Sequence, residues 1–457
     1  MNKTDPTPRT ARPAFLGDLF DALSERGRRL LRRRDAGPAR AIEAPDLSEL
    51  GELLLSRRGE ASGVVLARGL LSAFDRAGEE ARRAFLLTLA DRFGPDPEAV
   101  RAALSALEAD PADPDAMESL HIAAEPRRQE LLRRLNLAPG GTGALVKMRE
   151  ELLRHLRDSP ALRRVDSDFA HLFASWFNRG FLVLRHIDWT TQANILAKII
   201  RYEAVHAIQN WDDLRNRLEP TDRRCYAFFH PQLVDEPLIF VEVALTEDIP
   251  DTVAPLLDLH RRPIAAERAS TAVFYSISNT QKGLAGVSFG NFLIKQVVEE
   301  LKAELPNIRT YVTLSPVPGF AAWLAKARAD EGSDLTAAQR AAFAALDTPG
   351  WQEDAEVAEA LRAPLLAAAA TYFLRARDGR GRVIDPVARF HLGNGARLER
   401  LNFLGDVSAN GMRQSHGLMV NYLYDLDRIE ANHEAFAERT IVAASDSVTR
   451  ALPPAQS

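Results

Sequence analysis

The pattern of apolar residues changes character once along the chain, near Ile187, and that change sets the architecture. Before it, from about Leu16 to Leu184, Leu, Ala, Arg and Glu dominate and apolar positions recur three or four apart. Phe85, Leu86, Leu87, Leu89 and Phe93 keep that rhythm up to Gly94-Pro95. Leu131, Leu132, Leu135 and Leu137 repeat it up to Pro139-Gly140-Gly141, and Leu152, Leu153, Leu156 and Leu162 carry it across the break at Pro160. This is the period of amphipathic helices punctuated by helix breakers. Residues 16–186 are therefore expected to form an all-helical bundle domain, for packing or oligomerisation, with no catalytic constellation of its own.

Beyond Ile187 the runs become shorter and β-branched. Leu238–Leu245, bounded by Pro237 and Pro250, reads as a buried strand, and Thr271–Ser278 reads as another. A glycine-bearing loop, Gly283–Gly290, follows, then a helix from about Asn291 to Glu304 with Ile294, Val297, Val298, Leu301 and Leu305 on its apolar face. Tyr311–Leu314 is a further strand ending at Ser315-Pro316, and Leu418, Val420 and Tyr422 alternate as one more. The fold class expected is α+β, with 187–457 as a mixed α/β domain.

Composition narrows the function classes. A chain of 457 residues exceeds what one hydrophobic core holds, so two domains are expected. Hydrophobic residues at 46% and charged residues at 26% fit a soluble globular protein. The net charge of -5 offers no field for a nucleic-acid backbone, so no nucleic-acid partner is expected. The single cysteine, Cys225, excludes an internal disulfide, and no histidine pair has helix-face metal spacing with an acid beside it. No metal is expected. No run of 18 apolar residues occurs, so no membrane span is expected, and Leu365–Ala370 reads as core helix.

Residues 1–15, with Pro6, Pro8 and Pro13, have no apolar stretch of the secretory kind and are expected to be disordered. The basic run Arg26–Arg34 reads as a solvated helix face, because Asp5, Asp18, Asp21 and Glu25 argue against a transit peptide. The last residues lack a Ser-Lys-Leu address, and a cytoplasmic location is expected. Trp189, Trp211, Trp323 and Trp351 read as core residues.

The glycine loop is the first pointer to chemistry. A helix N-terminus carries unpaired N–H groups and positive potential, and Gly283, Gly286 and Gly290 would let the backbone approach a phosphate. No Gly-Lys-Ser/Thr closes the loop and the spacing is not G-x-G-x-x-G, so it is neither a P-loop nor a dinucleotide fingerprint. A turn without a ligand fits these residues equally well. The strand–loop–helix order resembles the coenzyme A pyrophosphate loop of the acyl-CoA N-acyltransferase superfamily. In Ala285-Gly286-Val287-Ser288-Phe289-Gly290, however, only the last glycine of that motif is kept.

Longer blocks are more specific. Phe274–Val287, Leu314-Ser315-Pro316-Val317-Pro318-Gly319-Phe320, Asp385–Ala396 and Asp406-Val407-Ser408 with Gly417-Leu418-Met419 and Asn421-Tyr422 stand in order within Trp189–Tyr424. Together they resemble the malonyl-CoA decarboxylase family, which implies a helical N-terminal domain before an acyl-CoA N-acyltransferase-like catalytic domain. The resemblance further implies that Ser315 and His391 are catalytic and contact the substrate. It also implies that Ala285, Gly286, Val287, Ser288, Phe289, Gly290 and Asn291 form the coenzyme A contact segment. Animal members carry a glutamate where this chain has Ser288, so another group would have to take over any role of that acid.

Read from their surroundings alone, Ser315 before Pro316 is a turn cap and His391 beside Phe390 a structural histidine. His230, before Pro231, reads as bonding locally, and His416 has no identifiable partner. The resemblance implies malonyl-CoA as substrate, acetyl-CoA and carbon dioxide as products, no cofactor, and a homo-oligomer. His391 would donate a proton and a hydrogen bond to the thioester oxygen, and Ser315 would bond the malonyl carboxylate. An acyl-CoA-dependent N-acyltransferase and a non-catalytic coenzyme A-binding protein are the alternatives.

Overall fold

The computed structural model describes residues 46–56, 59–287, 293–333 and 335–453. The expectations for 1–15 and for Arg26–Arg34 lie outside the described residues, as do Ser288, Phe289, Gly290 and Asn291. Two compact units emerge. One holds the residues up to Phe177 together with Gln281–Val287; the other holds Asn178–Thr280 together with the chain from Ser288 onward.

The first unit is built from α1 (Leu47–Leu55), α2 (Glu60–Arg76), α3 (Glu79–Asp91), α4 (Pro97–Ala109), α5 (Pro114–Ala124), α6 (Arg127–Asn136), α7 (Gly141–His155) and α8 (Leu162–Trp176). Aspartates start several of them. Asp96 and Asp113 accept backbone N–H bonds at the heads of α4 and α5, each followed by a proline in the first turn, where a missing N–H costs nothing. Phe85, Leu86, Leu89, Leu131, Leu135, Leu152, Phe169 and Phe173 fill the core, so the three-or-four rhythm marks the buried faces. One ion pair is buried with them: Arg128 binds Asp168, which also accepts from Gln129 Nε2 at 2.6 Å.

The second unit carries one sheet in the order β1-β2-β3-β4-β5-β8-β6, with β7 also paired to β8. The strands are β1 (Val183–Ile187), β2 (Arg223–Phe229), β3 (Pro237–Thr246), β4 (Thr271–Asn279), β5 (Thr310–Thr313), β6 (Ser315–Pro316), β7 (Arg397–Asn402) and β8 (Met419–Leu423). β1 to β4 run antiparallel, whereas β4 and β5 run parallel. β3 is buried along nearly its whole length, which is why its sequence is an unbroken apolar run rather than an alternation. On one face, Ile195, Leu196 and Ile199 of α9 (Ala193–Tyr202) and Leu214 of α10 (Trp211–Leu218) pack against Ile187, Cys225, Phe229 and Phe240. α11 (Leu293–Glu304) buries Ile294, Val297, Val298 and Leu301, the face expected of it. The fold is α+β, with β4 followed by α11 in the strand-to-helix order of the coenzyme A resemblance.

The decisive feature of the sheet is a fork. β4 and β5 pair from Thr271/Thr310 to Phe274/Thr313, and Leu314 N–H donates to the Phe274 carbonyl at 3.0 Å. Past that point β4 continues against β3, while Ser315 and Pro316 turn to pair with Val420 and Met419 of β8. A gap opens in mid-sheet, and Ser315 stands at its root.

Two expectations need correction. β1 already belongs to the second unit, so the boundary expected at 186/187 falls on the last residues of a strand; only Ile187 of that strand is buried, which leaves little periodic signal. Trp189 and Trp211 are not core: they are 37% and 46% exposed, set edge to face at 6.3 Å, with the Arg215 guanidinium over Trp189. Trp351 is buried. The run Leu365–Ala370 lies, as expected, in a core helix, α12 (Ala355–Leu374), which alone among the described residues is long and apolar enough by composition to cross a membrane. It buries Leu361, Leu365, Ala368, Ala369, Ala370, Tyr372 and Phe373 inside the second unit.

Candidate active site

Ser315 and His391, 76 residues apart in the chain, meet in the second unit: Ser315 Oγ lies 3.3 Å from His391 Nε2. Both are buried, at 6% and 2% exposure. Ser315 Oγ also bonds Thr313 Oγ1 at 2.8 Å, and that oxygen accepts the Tyr422 N–H at 3.1 Å. The serine is thus tied to the end of β5 and, through its pairing with Val420, to β8.

His391 does not sit in a loop, as its glycine-rich surroundings suggest. It lies in the last turn of α13 (Pro386–Gly393). Asp385 caps this helix by accepting the Ala388 N–H at 2.8 Å, and Pro386 presets its first turn. Gly395, at φ 82°, ends the turn where a Cβ would lie 2.0 Å from the Ile429 carbonyl oxygen. Asp385 is itself fully buried and accepts the Tyr372 hydroxyl at 3.3 Å. The imidazole is clamped on three sides. It stacks on Tyr422 at 4.6 Å between ring centres, meets Phe390 edge-on at 5.1 Å, and its Nδ1 lies 2.8 Å from the Tyr424 hydroxyl.

Burial decides the charge state. Desolvation pushes the His391 pKa down to about 3, so the ring is neutral at physiological pH. Burial also raises the Tyr424 phenol well above its ordinary range, so it keeps its hydrogen. A phenol that donates to Nδ1 leaves the ring hydrogen on Nε2, the atom facing Ser315. The arrangement is a neutral N–H donor and a hydroxyl, held together at the root of the sheet fork.

Sequence reasoning passed over Tyr424 and Thr313. A signal existed for the tyrosine: it continues the alternation of Val420 and Tyr422, and residues two apart on a strand share a face. His230 Nδ1 accepts the Gln232 N–H at 3.2 Å, a local bond, and His416 ends a helix in the left-handed conformation, at φ 52°.

The expected coenzyme A segment divides. Ala285, Gly286 and Val287 belong to the first unit and follow a short turn, Lys282–Leu284. Gly286 has φ 75°, a conformation suited to glycine. Gly283 serves packing rather than ligand approach: an added Cβ would lie 1.9 Å from the Val146 carbonyl oxygen, and its own carbonyl accepts from Arg149 Nη1 at 2.8 Å. Among the described residues, Glu79, Glu151 and His155 of the first unit bring ligand-type atoms within 4.8 Å of one another. Glu151 already pairs there with Arg82 and Arg154, so this is an ion-pair cluster.

Comparison with known proteins agrees with these features. The family model described as malonyl-CoA decarboxylase C-terminal domain matches residues 180–457, and that of the N-terminal domain matches residues 93–177. The mitochondrial malonyl-CoA decarboxylase of the goose Anser anser anser is 36% identical over 348 residues, covering 71% of this chain and 69% of that protein. Among solved structures, malonyl-CoA decarboxylase from Rhodopseudomonas palustris is 65% identical with a TM-score of 0.87, covering 90% of this chain and 100% of that one. The Agrobacterium vitis protein of the same name is 57% identical with a TM-score of 0.85, covering 89% and 100%.

Proposed function

Because the chain belongs to the malonyl-CoA decarboxylase family, we propose that it converts malonyl-CoA to acetyl-CoA and carbon dioxide, with Ser315 and His391 as the catalytic residues. The observation that carries the reading is the contact of these two side chains at the fork, with the imidazole oriented by Tyr424.

Loss of the carboxylate as carbon dioxide leaves the electron pair of the broken C–C bond in the thioester, as an enolate, and a proton then adds at carbon. The thioester carbonyl is itself the electron sink, so the chemistry requires no cofactor. His391 Nε2–H is the donor for the developing oxyanion, an interaction worth roughly 3–4 kcal/mol in such sites. Being neutral, it does not hold the malonyl carboxylate back in an ion pair. The same N–H supplies the proton at carbon while a solvent proton replaces it on Nε2, so that neither an imidazolate nor a Tyr424 phenolate forms. Ser315 Oγ–H orients the carboxylate before it leaves. Ala285–Asn291 is the coenzyme contact segment in this reading. The working form is a homo-oligomer through the helical unit, a view supported by exposed Leu104, Met117 and Ile122 on α4 and α5.

Incubation with malonyl-CoA alone tests the activity. Carbon dioxide and acetyl-CoA should appear in equal amounts with no acceptor present. Turnover only with an added amine would instead mark an N-acyltransferase, and binding without turnover a non-catalytic protein. Ser315→Ala and His391→Ala should each lower kcat by about a hundredfold or more, the scale of general acid–base contributions. Near-normal carbon dioxide release by both variants refutes the residue assignment.

A further inference from the structure

β8 holds Ser315 by strand pairing and His391 by stacking. A second connection between the two segments runs through Tyr372, near the end of α12. Its ring is fully buried, edge-on to Phe320 at 5.6 Å and tilted against Trp323 at 5.1 Å. On the histidine side its hydroxyl donates to Asp385 Oδ2 at 3.3 Å. Asp385 Oδ1 takes the Ala388 N–H at 2.8 Å and so heads the helix whose last turn carries His391. Burial, followed by the Asp385 charge, raises the Tyr372 phenol, so it keeps its hydrogen and remains the donor.

On the serine side the hydroxyl rests against Gly319, the residue that follows Ser315-Pro316-Val317-Pro318. A Cβ at Gly319 would lie 2.7 Å from the hydroxyl oxygen, against 3.9 Å from the ring carbon that bears it. Gly319 has φ -98°, which any residue adopts, so the missing side chain answers to space and not to backbone conformation. Pro316 and Pro318 stiffen the short run back to Ser315, so a displacement at one end reaches the other.

We propose that Tyr372 is a positioning residue for decarboxylation: its hydroxyl, seated against Gly319 and bonded to Asp385, sets the separation of Ser315 and His391. This inference rests on the decarboxylase reading above. The dyad gap is 3.3 Å, and a misplacement of about 1 Å costs a reaction about a hundredfold. Tyr372 acts through Asp385 and Gly319.

The test is a double-mutant cycle on the full-length protein, with Tyr372→Phe, Gly319→Ala and the two together. Tyr372→Phe keeps the ring in its core and removes the hydroxyl, so kcat for malonyl-CoA should fall about tenfold or more with KM held within about twofold. Gly319→Ala should lower kcat at least as far, by driving the hydroxyl off Asp385. Once the hydroxyl is gone, a Cβ at this position meets only ordinary contact. The double variant should therefore match Tyr372→Phe within about twofold instead of multiplying the two losses. Thermal melts give the folded fraction by which each rate is divided. A tyrosine that served stability alone would lower the melting temperature and leave kcat per folded enzyme unchanged. Either single variant within about twofold of the unaltered kcat, or losses that multiply in the double variant, overturns the proposal. A second readout does not depend on turnover. With isotopically labelled histidine, the His391 ring signal in a magnetic resonance spectrum, assigned by its absence in His391→Ala, should shift in both single variants; an unmoved signal also overturns the proposal. If the unaltered chain forms no acetyl-CoA from malonyl-CoA, the decarboxylase reading fails, and the ring signal alone decides whether Tyr372 sets the histidine.

Discussion

Tyr424→Phe is the sharpest probe of how the histidine is set. The substitution removes one oxygen and keeps the ring, which packs edge to face with Phe274 at 6.3 Å, so the core around it changes little. What is lost is the 2.8 Å bond to His391 Nδ1. That nitrogen is fully buried, and a buried acceptor left without its partner costs about 1–3 kcal/mol. The unpaired ring regains access to the tautomer with hydrogen on Nδ1, in which Nε2 has nothing to donate. Since 1.36 kcal/mol is a factor of ten in rate, kcat should fall by about 5- to 150-fold. The loss concerns the developing oxyanion and the proton, so KM should hold, and kcat and kcat/KM should fall together. Initial rates of acetyl-CoA formation against malonyl-CoA concentration measure both constants, and a thermal melt checks that the fold is retained. A kcat within about twofold of the unaltered enzyme, or an effect confined to KM, refutes the tautomer argument.

Asp385→Ala should destabilise the protein by about 2–4 kcal/mol, from the lost helix cap together with the stranded Tyr372 hydroxyl, and should lower kcat because the helix carries His391. Asp385→Asn keeps the capping oxygen and should recover most of both losses, as read by urea unfolding and initial rates; equal damage from the two variants contradicts the capping role. Glu242 offers a pH test. It lies fully buried on β3, paired with Arg217 Nη1 at 3.1 Å, and burial, with the Glu203 charge second, raises its pKa to about 7. The folded state therefore holds a proton that the unfolded state releases above about pH 4.3, so the stability it contributes is present below that pH and is lost as pH rises through about 7. Glu242→Gln should gain on the unaltered protein by about 3 kcal/mol between pH 4.5 and 8, at 1.36 kcal/mol per pKa unit. Parallel pH profiles in urea unfolding would contradict it.

What was legible from the chain alone follows its local physics. Helices α3, α6 and α7 were readable because their buried faces repeat every three or four residues and stop at Gly94-Pro95 and Pro139-Gly140. β3 and β4 were readable because burial leaves uninterrupted apolar runs. β1 and β7 were not. The first is mostly exposed, and the second, Arg-Leu-Glu-Arg-Leu-Asn, mixes charges into a half-buried strand. α13 has only eight residues, too few for a periodic signal beside Gly393-Asn394-Gly395, and its cap at Asp385 with Pro386 was the cue that went unused.

The site itself depends on a relation that no local pattern expresses. Ser315 leaves the sheet fork on a two-residue strand, and His391 arrives on a separate helix. β8 joins them with alternate residues on one face and its continuation: Val420 pairs with Ser315, Tyr422 stacks on the imidazole, and Tyr424 binds its Nδ1. β8 is also held to β5, for Tyr424 N–H donates to the Tyr311 carbonyl at 2.8 Å. Thus one strand sets the position of the serine, the plane of the histidine and the tautomer. A slip of one residue in its register would turn all three contacts to the opposite face at once. The order of the motif blocks in the sequence is the linear trace of that strand's partners, which explains why blocks far apart were informative together when Ser315 alone read as a turn cap and His391 alone as a structural histidine.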